Sequence, residues 1–137
     1  MYLLDTNVIS KLRKARPHDA VVEWLRSVPE DDIFLSAATF GELQAGVEKT
    51  RRTDPAKARE IELWIDGISL TGRIIPIDAR IARERARLLS GRSLALYEDA
   101  VIAATARVHR LTVATRNGKD FEPFEVSIIN PFEWTRT

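Results

Sequence analysis

Four carboxylates in this 137-residue chain are the candidates for its chemistry: Asp5, Glu42, Asp99 and Asp120. Three of them follow a predicted strand or stand at a predicted helix start. Each also has an ordinary structural role available. Asp5 and Asp99 could stabilise helix N-termini, Glu42 could be exposed on its helix, and Asp120 could belong to a plain turn. Taken singly, none of the four decides a function.

Together the four carboxylates predict a metal site. Two carboxylates about 4 Å apart repel each other by roughly 4 kcal/mol at an effective dielectric near 20. A converging group must therefore be protonated or neutralised by a cation. Oxygen ligands without His or Cys favour a hard ion, Mg²⁺ or Mn²⁺. Such an ion activates water and stabilises the transition state of phosphodiester hydrolysis. This hypothesis requires the fold to bring the four together.

The segments around two of the carboxylates strengthen the hypothesis. Glu42 shares its helix face with Ala38, Ala45 and Gly46, whose small side chains let another element approach closely. Asp99 opens the most apolar predicted helix, residues 100–108, which should be central to the fold.

Composition excludes several other functions. The chain has no cysteine, which excludes disulfides, zinc–thiolate sites and thiol catalysis and fits a reducing cytoplasm. No stretch is apolar enough to span a membrane, and the first residues lack a signal-peptide pattern. We therefore expect a cytoplasmic protein without a membrane partner.

The net charge of +1 is too balanced to mark a nucleic-acid-binding protein by itself. The basic residues are clustered, however, and each cluster is either a solvated helix face or a surface that follows phosphates. The clusters are Lys11, Arg13, Lys14 and Arg16; Lys49, Arg51 and Arg52; and Arg80, Arg83, Arg85 and Arg87.

Strands alternate with helices along the chain, and most of the strands are apolar throughout. Strands are predicted at residues 2–4, 33–35, 74–75, 112–115 and 126–129. A first helix is predicted to begin near residue 7, and further helices are predicted at residues 17–27, 36–49, 54–68, 78–91 and 100–108. This order predicts one α/β domain over residues 1–137, a three-layer α/β/α sandwich with a central parallel sheet. In such a sheet, ligands bind beyond the carboxyl ends of the strands.

Four segments in this order resemble the motifs of one family. They are LDTNVIS at residues 4–10, SAATFGEL at 36–43, DAVIAATA at 99–106, and TRN at 115–117 followed by Asp120 and Phe121. Residues 130–132, Asn-Pro-Phe, also resemble the C-terminal motif of that family. The chain resembles PIN-domain proteins, specifically the VapC-type toxins of bacterial toxin–antitoxin pairs.

That resemblance implies a toxic endoribonuclease that binds Mg²⁺ or Mn²⁺ in an acidic pocket and cleaves RNA, with tRNA or rRNA as the expected substrates. It also implies a homodimer or a hetero-oligomer with a cognate VapB-type antitoxin, which inhibits by placing a peptide in the pocket. Asp5, Glu42 and Asp99 correspond to the main acidic residues, Asp120 to a more variable fourth, and Thr6, Thr115 and Asn117 to supporting polar groups.

The chain departs from the family pattern just before Asp99, where Glu98 adds a second carboxylate. Adjacent helical residues point about 100° apart. We therefore expect only one of the two to face the metal, and Asp99 is the better candidate because it directly precedes the alanine-rich run.

Three other readings stay open at this stage. His18 and His109, the two histidines, could act as acid and base without a metal. Asp5 could be a phosphatase nucleophile, although such enzymes usually carry a second Asp where this chain has Asn7. Finally, the chain could be a catalytically silent PIN-like scaffold that binds proteins.

Overall fold

The computed structural model describes residues 1–12, 18–70 and 73–136. Its strands are β1 (Tyr2–Leu4), β2 (Ile33–Ser36), β3 (Ile74–Ile75), β4 (Thr112–Ala114) and β5 (Ile128–Ile129). Its helices are α1 (Thr6–Leu12), α2 (Asp19–Ser27), α3 (Ala37–Arg51), α4 (Pro55–Ser69), α5 (Ala79–Leu89) and α6 (Tyr97–His109). The basic residues Arg13, Lys14 and Arg16, and the predicted helix start at residue 17, lie outside the described residues.

The five strands form one parallel sheet in the order β3-β2-β1-β4-β5. The central strand β1 pairs with β2 on one side, where Tyr2 is opposite Ile33, and with β4 on the other, where Leu4 is opposite Ala114. The predicted parallel α/β sheet is confirmed.

Alternating side chains of the sheet enter two separate cores. Leu3 and Val113 pack with α6 and with a 3₁₀ segment, Gly118–Phe124. Leu4 and Ala114 pack on the opposite face with residues of α1 and α2. Because both faces are covered, the strands are apolar throughout, and the predicted three-layer α/β/α arrangement is confirmed.

Several helices begin where their capping residues predict. The hydroxyl of Ser36 accepts the N–H of Ala38 at the start of α3. Asp54 is the residue before α4, and its carboxylate accepts the N–H of Lys57 in the first turn of that helix. Asp78 caps α5 in the same way. These side chains satisfy amide groups that the first helical turn leaves without a partner.

Some element boundaries differ from the prediction. α6 begins at Tyr97, because a 3₁₀ segment capped by Ser93 leads directly into it, so Asp99 is the third residue of the helix. Residues 118–124 form 3₁₀ turns rather than a plain turn. β5 is shorter than predicted, since Glu125 adopts a left-handed conformation (φ 50°) just before it. None of the helices in the described ranges is long and apolar enough to cross a membrane.

The strand order reverses between β1 and β4, next to the middle of the sheet. The chain leaves β1 toward β2 on one side and reaches β4 on the other, so the loops after these two strands separate and leave a crevice. Open α/β sheets bind ligands at this position. Asp5 directly follows β1 and Thr115 directly follows β4.

Candidate active site

The carboxylate of Asp5 is held by hydrogen bonds from both sides of the crevice. Its Oδ1 accepts the backbone N–H of Thr6, at 2.8 Å. Its Oδ2 accepts the hydroxyl of Thr115, at 2.8 Å, and the amide of Asn7, at 3.2 Å. Because Thr115 follows another strand, this network ties the ends of β1 and β4 together and fixes the direction of the carboxylate.

Asn7 and Asn117 complete this network. The Asn7 side-chain oxygen accepts the backbone N–H of Arg116, at 3.3 Å. The backbone N–H of Asn117 donates to the hydroxyl of Thr115, at 3.0 Å, and orients that hydroxyl toward Asp5. Sequence reasoning did not identify Asn7 as a supporting residue, because its partners near Thr115 are more than 100 residues away in the chain.

Thr6 and Glu42 face each other from α1 and α3. The Thr6 hydroxyl is buried and forms no hydrogen bond of standard geometry with a described residue. It lies near enough to the Glu42 carboxylate to lower its pKa, but burial and the charges of Glu98, Asp5 and Asp99 act more strongly in the other direction. The pKa of Glu42 is therefore raised.

Asp99 lies in the first turn of α6, and its pKa is raised from 3.8 to about 6. Burial is the main cause, followed by the charges of Asp5, Asp120 and Glu98. The pKa of Asp5 is also raised, because desolvation outweighs the hydrogen bonds that it accepts. The charge of Asp5 thus makes ionisation of both Asp99 and Glu42 harder.

Glu98 and Asp99 both line the same cleft, and that only one of them faces the metal stays a prediction. Glu98 is exposed and Asp99 is partly buried, so the two reach the cleft at different depths.

Asp120 is exposed and does not line the cleft with the others. It belongs to the 3₁₀ segment after β4, where its backbone N–H donates to the carbonyl of Asn117. Its charge nevertheless raises the pKa of both Asp5 and Asp99. Asp120 therefore contributes to the electrostatics of the cleft from its rim.

The acidic cleft has a volume of about 330 Å³ and opens to solvent. Besides the residues described above, Ser10 and Ile102 line it, and neither was singled out from the sequence as a functional residue. Across the described ranges of the chain, no three acidic or histidine side chains stand close enough to form a ready-made metal site. The carboxylates surround the cleft without converging on one point.

The chemistry of these residues fits a hard divalent cation. The donors are carboxylate and hydroxyl oxygens, which Mg²⁺ and Mn²⁺ prefer. The pKa values of Asp5, Glu42 and Asp99 are raised first by burial and then by neighbouring negative charges, and a bound cation would favour the ionised form of all three. The buried Thr6 hydroxyl, beside Glu42, is a further oxygen at this cleft.

Neither histidine lines the acidic cleft. His109 ends α6, the helix whose first turn carries Asp99. His18 packs edge-on against Phe132, with ring centroids 5.1 Å apart. Acid–base catalysis by histidine therefore has no geometric support.

Comparison with known proteins identifies the family. A sequence model described as the PIN domain matches residues 2–125. The chain belongs to the PIN domain family. PIN-domain ribonucleases generally use divalent metal ions, in agreement with the donor set of the cleft.

Two individual relatives are similar in sequence to this chain over nearly its full length. The chain is 38% identical to Toxin FitB of Neisseria gonorrhoeae, over 96% of this chain and 99% of that protein. It is 39% identical to VapC ribonuclease Y4jK of Sinorhizobium fredii, over 97% of this chain and 99% of that one. The crystal structure of FitAcB from Neisseria gonorrhoeae superimposes with a TM-score of 0.86 at 37% identity, covering 98% of this chain and 100% of that chain. Other similar structures include FitAB bound to a DNA fragment, at 35% identity, and a toxin–antitoxin complex from Klebsiella pneumoniae, at 27% identity.

Proposed function

We propose that this PIN-domain protein is the toxin of a toxin–antitoxin pair and acts as a metal-dependent endoribonuclease. The observation that carries the proposal is the acidic cleft at the reversal of strand order, in which Asp5, Glu42 and Asp99 all have raised pKa values. The family relationship to proteins named as ribonucleases supports RNA as the substrate.

Each acidic residue has a proposed role. Asp5 and Asp99 would hold the ion within the cleft, Asp120 would be a further ligand from its rim, and Glu42 would complete the site as a ligand or by orienting the attacking water. When bound, Mg²⁺, or Mn²⁺ in its place, lowers the pKa of a coordinated water and offsets negative charge at phosphorus. Thr115, Asn7 and the Thr6 N–H keep the Asp5 carboxylate pointing into the cleft.

The reaction is hydrolysis of an RNA phosphodiester by in-line attack of water. The new bond joins the water oxygen to phosphorus, and the bond to the 3′-oxygen breaks. The products carry a 5′-phosphate and a 3′-hydroxyl. tRNA and rRNA are the substrates to test first.

A cognate VapB-type antitoxin is the proposed inhibitor, since related structures contain toxin–antitoxin complexes. The toxin is expected to form a homodimer or a hetero-oligomer with that antitoxin, and to act in the cytoplasm where its RNA substrate is found.

Cleavage assays on purified protein test the proposal. Wild type should cleave tRNA or rRNA with Mg²⁺ or Mn²⁺ and lose this activity in excess EDTA. Asp5→Asn should be inactive, while Glu60→Gln, which removes an exposed carboxylate on α4, should retain full activity. Undiminished cleavage in EDTA, or by Asp5→Asn, would refute the proposal.

A second candidate is a PIN scaffold that binds RNA or protein without turnover. One observation favours the scaffold, namely that no three acidic or histidine side chains in the described ranges lie close enough together to hold a metal ion. The same assay separates the two functions: the scaffold binds tRNA in the presence of Mn²⁺ but releases no product over long incubation.

A further inference from the structure

A second cleft, opposite in charge to the first, lies between α5 and α6. It has a volume of about 390 Å³ and opens to solvent. The charged residues that line it are Arg80, Arg83, Glu84, Arg87, Arg107 and Arg110. Five guanidinium groups and one carboxylate thus share this space, which we call the basic cleft.

Internal pairing explains only part of this arrangement. Glu84 forms ion pairs with Arg87, at 3.3 Å, and with Arg107, at 3.2 Å. Arg107 also donates to the backbone carbonyls of Phe124 and Glu125, at 3.1 Å each. These contacts fix Arg107 and hold Glu84 between two arginines, so the one carboxylate of the cleft is already occupied.

The other three arginines have no carboxylate partner among the described residues. These are Arg80, Arg83 and Arg110, all exposed. Arg85, the fourth arginine of the α5 run, points elsewhere and places its guanidinium over the ring of Tyr97. Of the four arginines on α5, Arg85 therefore packs on Tyr97, and the other three line the basic cleft.

Helix stability does not account for these charges. Positive residues near the end of α6, such as Arg107, interact favourably with the helix dipole. Arg80, however, lies in the first turn of α5, where positive charge opposes the dipole. Arg80 and Arg83, and Arg83 and Arg87, also repel each other at helical spacings of three and four. An arrangement that is locally unfavourable in the free protein suits an anionic ligand.

The position of the basic cleft relates it to the acidic one. Asp99 is in the first turn of α6 and His109 is its last residue, so the two clefts are separated by roughly 15 Å along this helix. RNA brings its own negative charge to a cleft lined with carboxylates. Attraction for a long substrate must therefore come from another part of the surface.

We propose that the basic cleft binds backbone phosphates of the RNA substrate at a distance from the scissile bond. The inference rests on the proposed ribonuclease function. Guanidinium groups suit this role because their planar donors match phosphate oxygens. Such contacts carry no sequence preference and fix the position of a folded RNA relative to the acidic cleft.

Binding of unfractionated bacterial tRNA in EDTA tests the inference without requiring cleavage. The variant is the double substitution Arg80→Gln with Arg83→Gln. The matched control is Arg52→Gln with Arg59→Gln, which removes two exposed positive charges outside the basic cleft. Thermal unfolding checks folding, and we expect the α5 variant to unfold at no lower temperature than wild type, because it removes repulsion.

The readout is the dependence of affinity on salt. Each lost phosphate contact lowers the slope of log affinity against log salt by about 0.9 for duplex RNA, by analogy with B-DNA. Between 50 and 200 mM salt, wild-type affinity should therefore fall about tenfold more than the affinity of the α5 variant. The control should keep the wild-type slope.

Equal slopes for wild type and the α5 variant, or equal reductions in variant and control, overturn the inference. So does a variant that binds tRNA normally but loses binding to poly-glutamate, since that result assigns the basic cleft to an acidic protein. Cleavage by wild type with Mn²⁺ is measured in parallel. Absence of cleavage there would refute the proposed function and leave the salt slopes as an independent result.

Discussion

Replacement of Asp99 by Asn should stabilise the protein while abolishing its activity. The pKa of Asp99 is raised from 3.8 to about 6 by burial and by the charges of Asp5, Asp120 and Glu98. Its ionised form is therefore less favourable in the folded protein than in the unfolded chain. The carboxylate accepts no hydrogen bond from the described residues, so Asn removes the charge without breaking one.

The size of the effect follows from the pKa. The rise in the pKa of Asp99 from 3.8 to about 6 means that its ionised carboxylate lowers the free energy of unfolding by at most about 3 kcal/mol. Because the Asp99 side chain is only partly buried, solvent screens much of this destabilisation. We therefore expect Asp99→Asn to raise the free energy of unfolding by about 1 kcal/mol. For a chain of this size, that gain raises the unfolding temperature by about 4 °C.

The gain should depend on pH with a defined sign. A carboxyl whose pKa is raised in the folded state destabilises the fold above that pKa and ceases to do so as pH falls below its unfolded value. The advantage of Asp99→Asn should be full at pH 8, decline as pH falls through 6, and largely disappear near pH 4.

Divalent metal should reverse the order of stability. In EDTA the variant is the more stable protein. With Mn²⁺ at 100 times its dissociation constant, wild type gains about 2.7 kcal/mol, while the variant has lost a ligand and gains less. Thermal unfolding at pH 8 and pH 4, with EDTA or Mn²⁺, measures each case, with Glu60→Gln as the control. An Asp99→Asn variant no more stable than wild type at pH 8 in EDTA, or equally stabilised at both pH values, would refute the reasoning.

Three further predictions follow from named contacts. Thr115→Val removes the hydroxyl that donates to Asp5, so RNA cleavage should fall about 10- to 100-fold, and Thr115→Ser should restore it; equal activity of all three proteins would contradict this role. Glu98→Gln removes a charge that raises the pKa of Asp99, so a carboxyl-carbon NMR titration in EDTA should show a lower pKa for Asp99, and an unchanged value would exclude the coupling. Trp24→Ala removes a side chain that is 1% exposed in the core beside β1, so urea unfolding should show a loss of about 3–5 kcal/mol, and a loss below 1 kcal/mol would show that this core is not closely packed.

The architecture could be predicted from the sequence because its signals are local. Capping residues such as Ser36, Asp54 and Asp78 mark the helix starts. Fully apolar strands separated by helices predict a parallel sheet, and the structure confirms both. Motif order also predicted which family the chain belongs to.

The details of the cleft could not be predicted, because they depend on contacts that are distant in sequence. The role of Asn7 arises only when the ends of β1 and β4 meet. Helix geometry alone predicted that one of Glu98 and Asp99 faces the metal, and it gave no sign that both would line the cleft. The basic run on α5 gave no sign from sequence that α6 would complete a cleft around it.

The most direct test of the central claim is a crystal structure of the protein soaked with Mn²⁺ and measured for anomalous scattering. We predict an anomalous peak in the acidic cleft, with carboxylate oxygens of Asp5 and Asp99 as ligands and with the peak lost in Asp99→Asn. A protein that cleaves RNA with Mn²⁺ but shows no peak in this cleft, or a peak only elsewhere, would contradict the account.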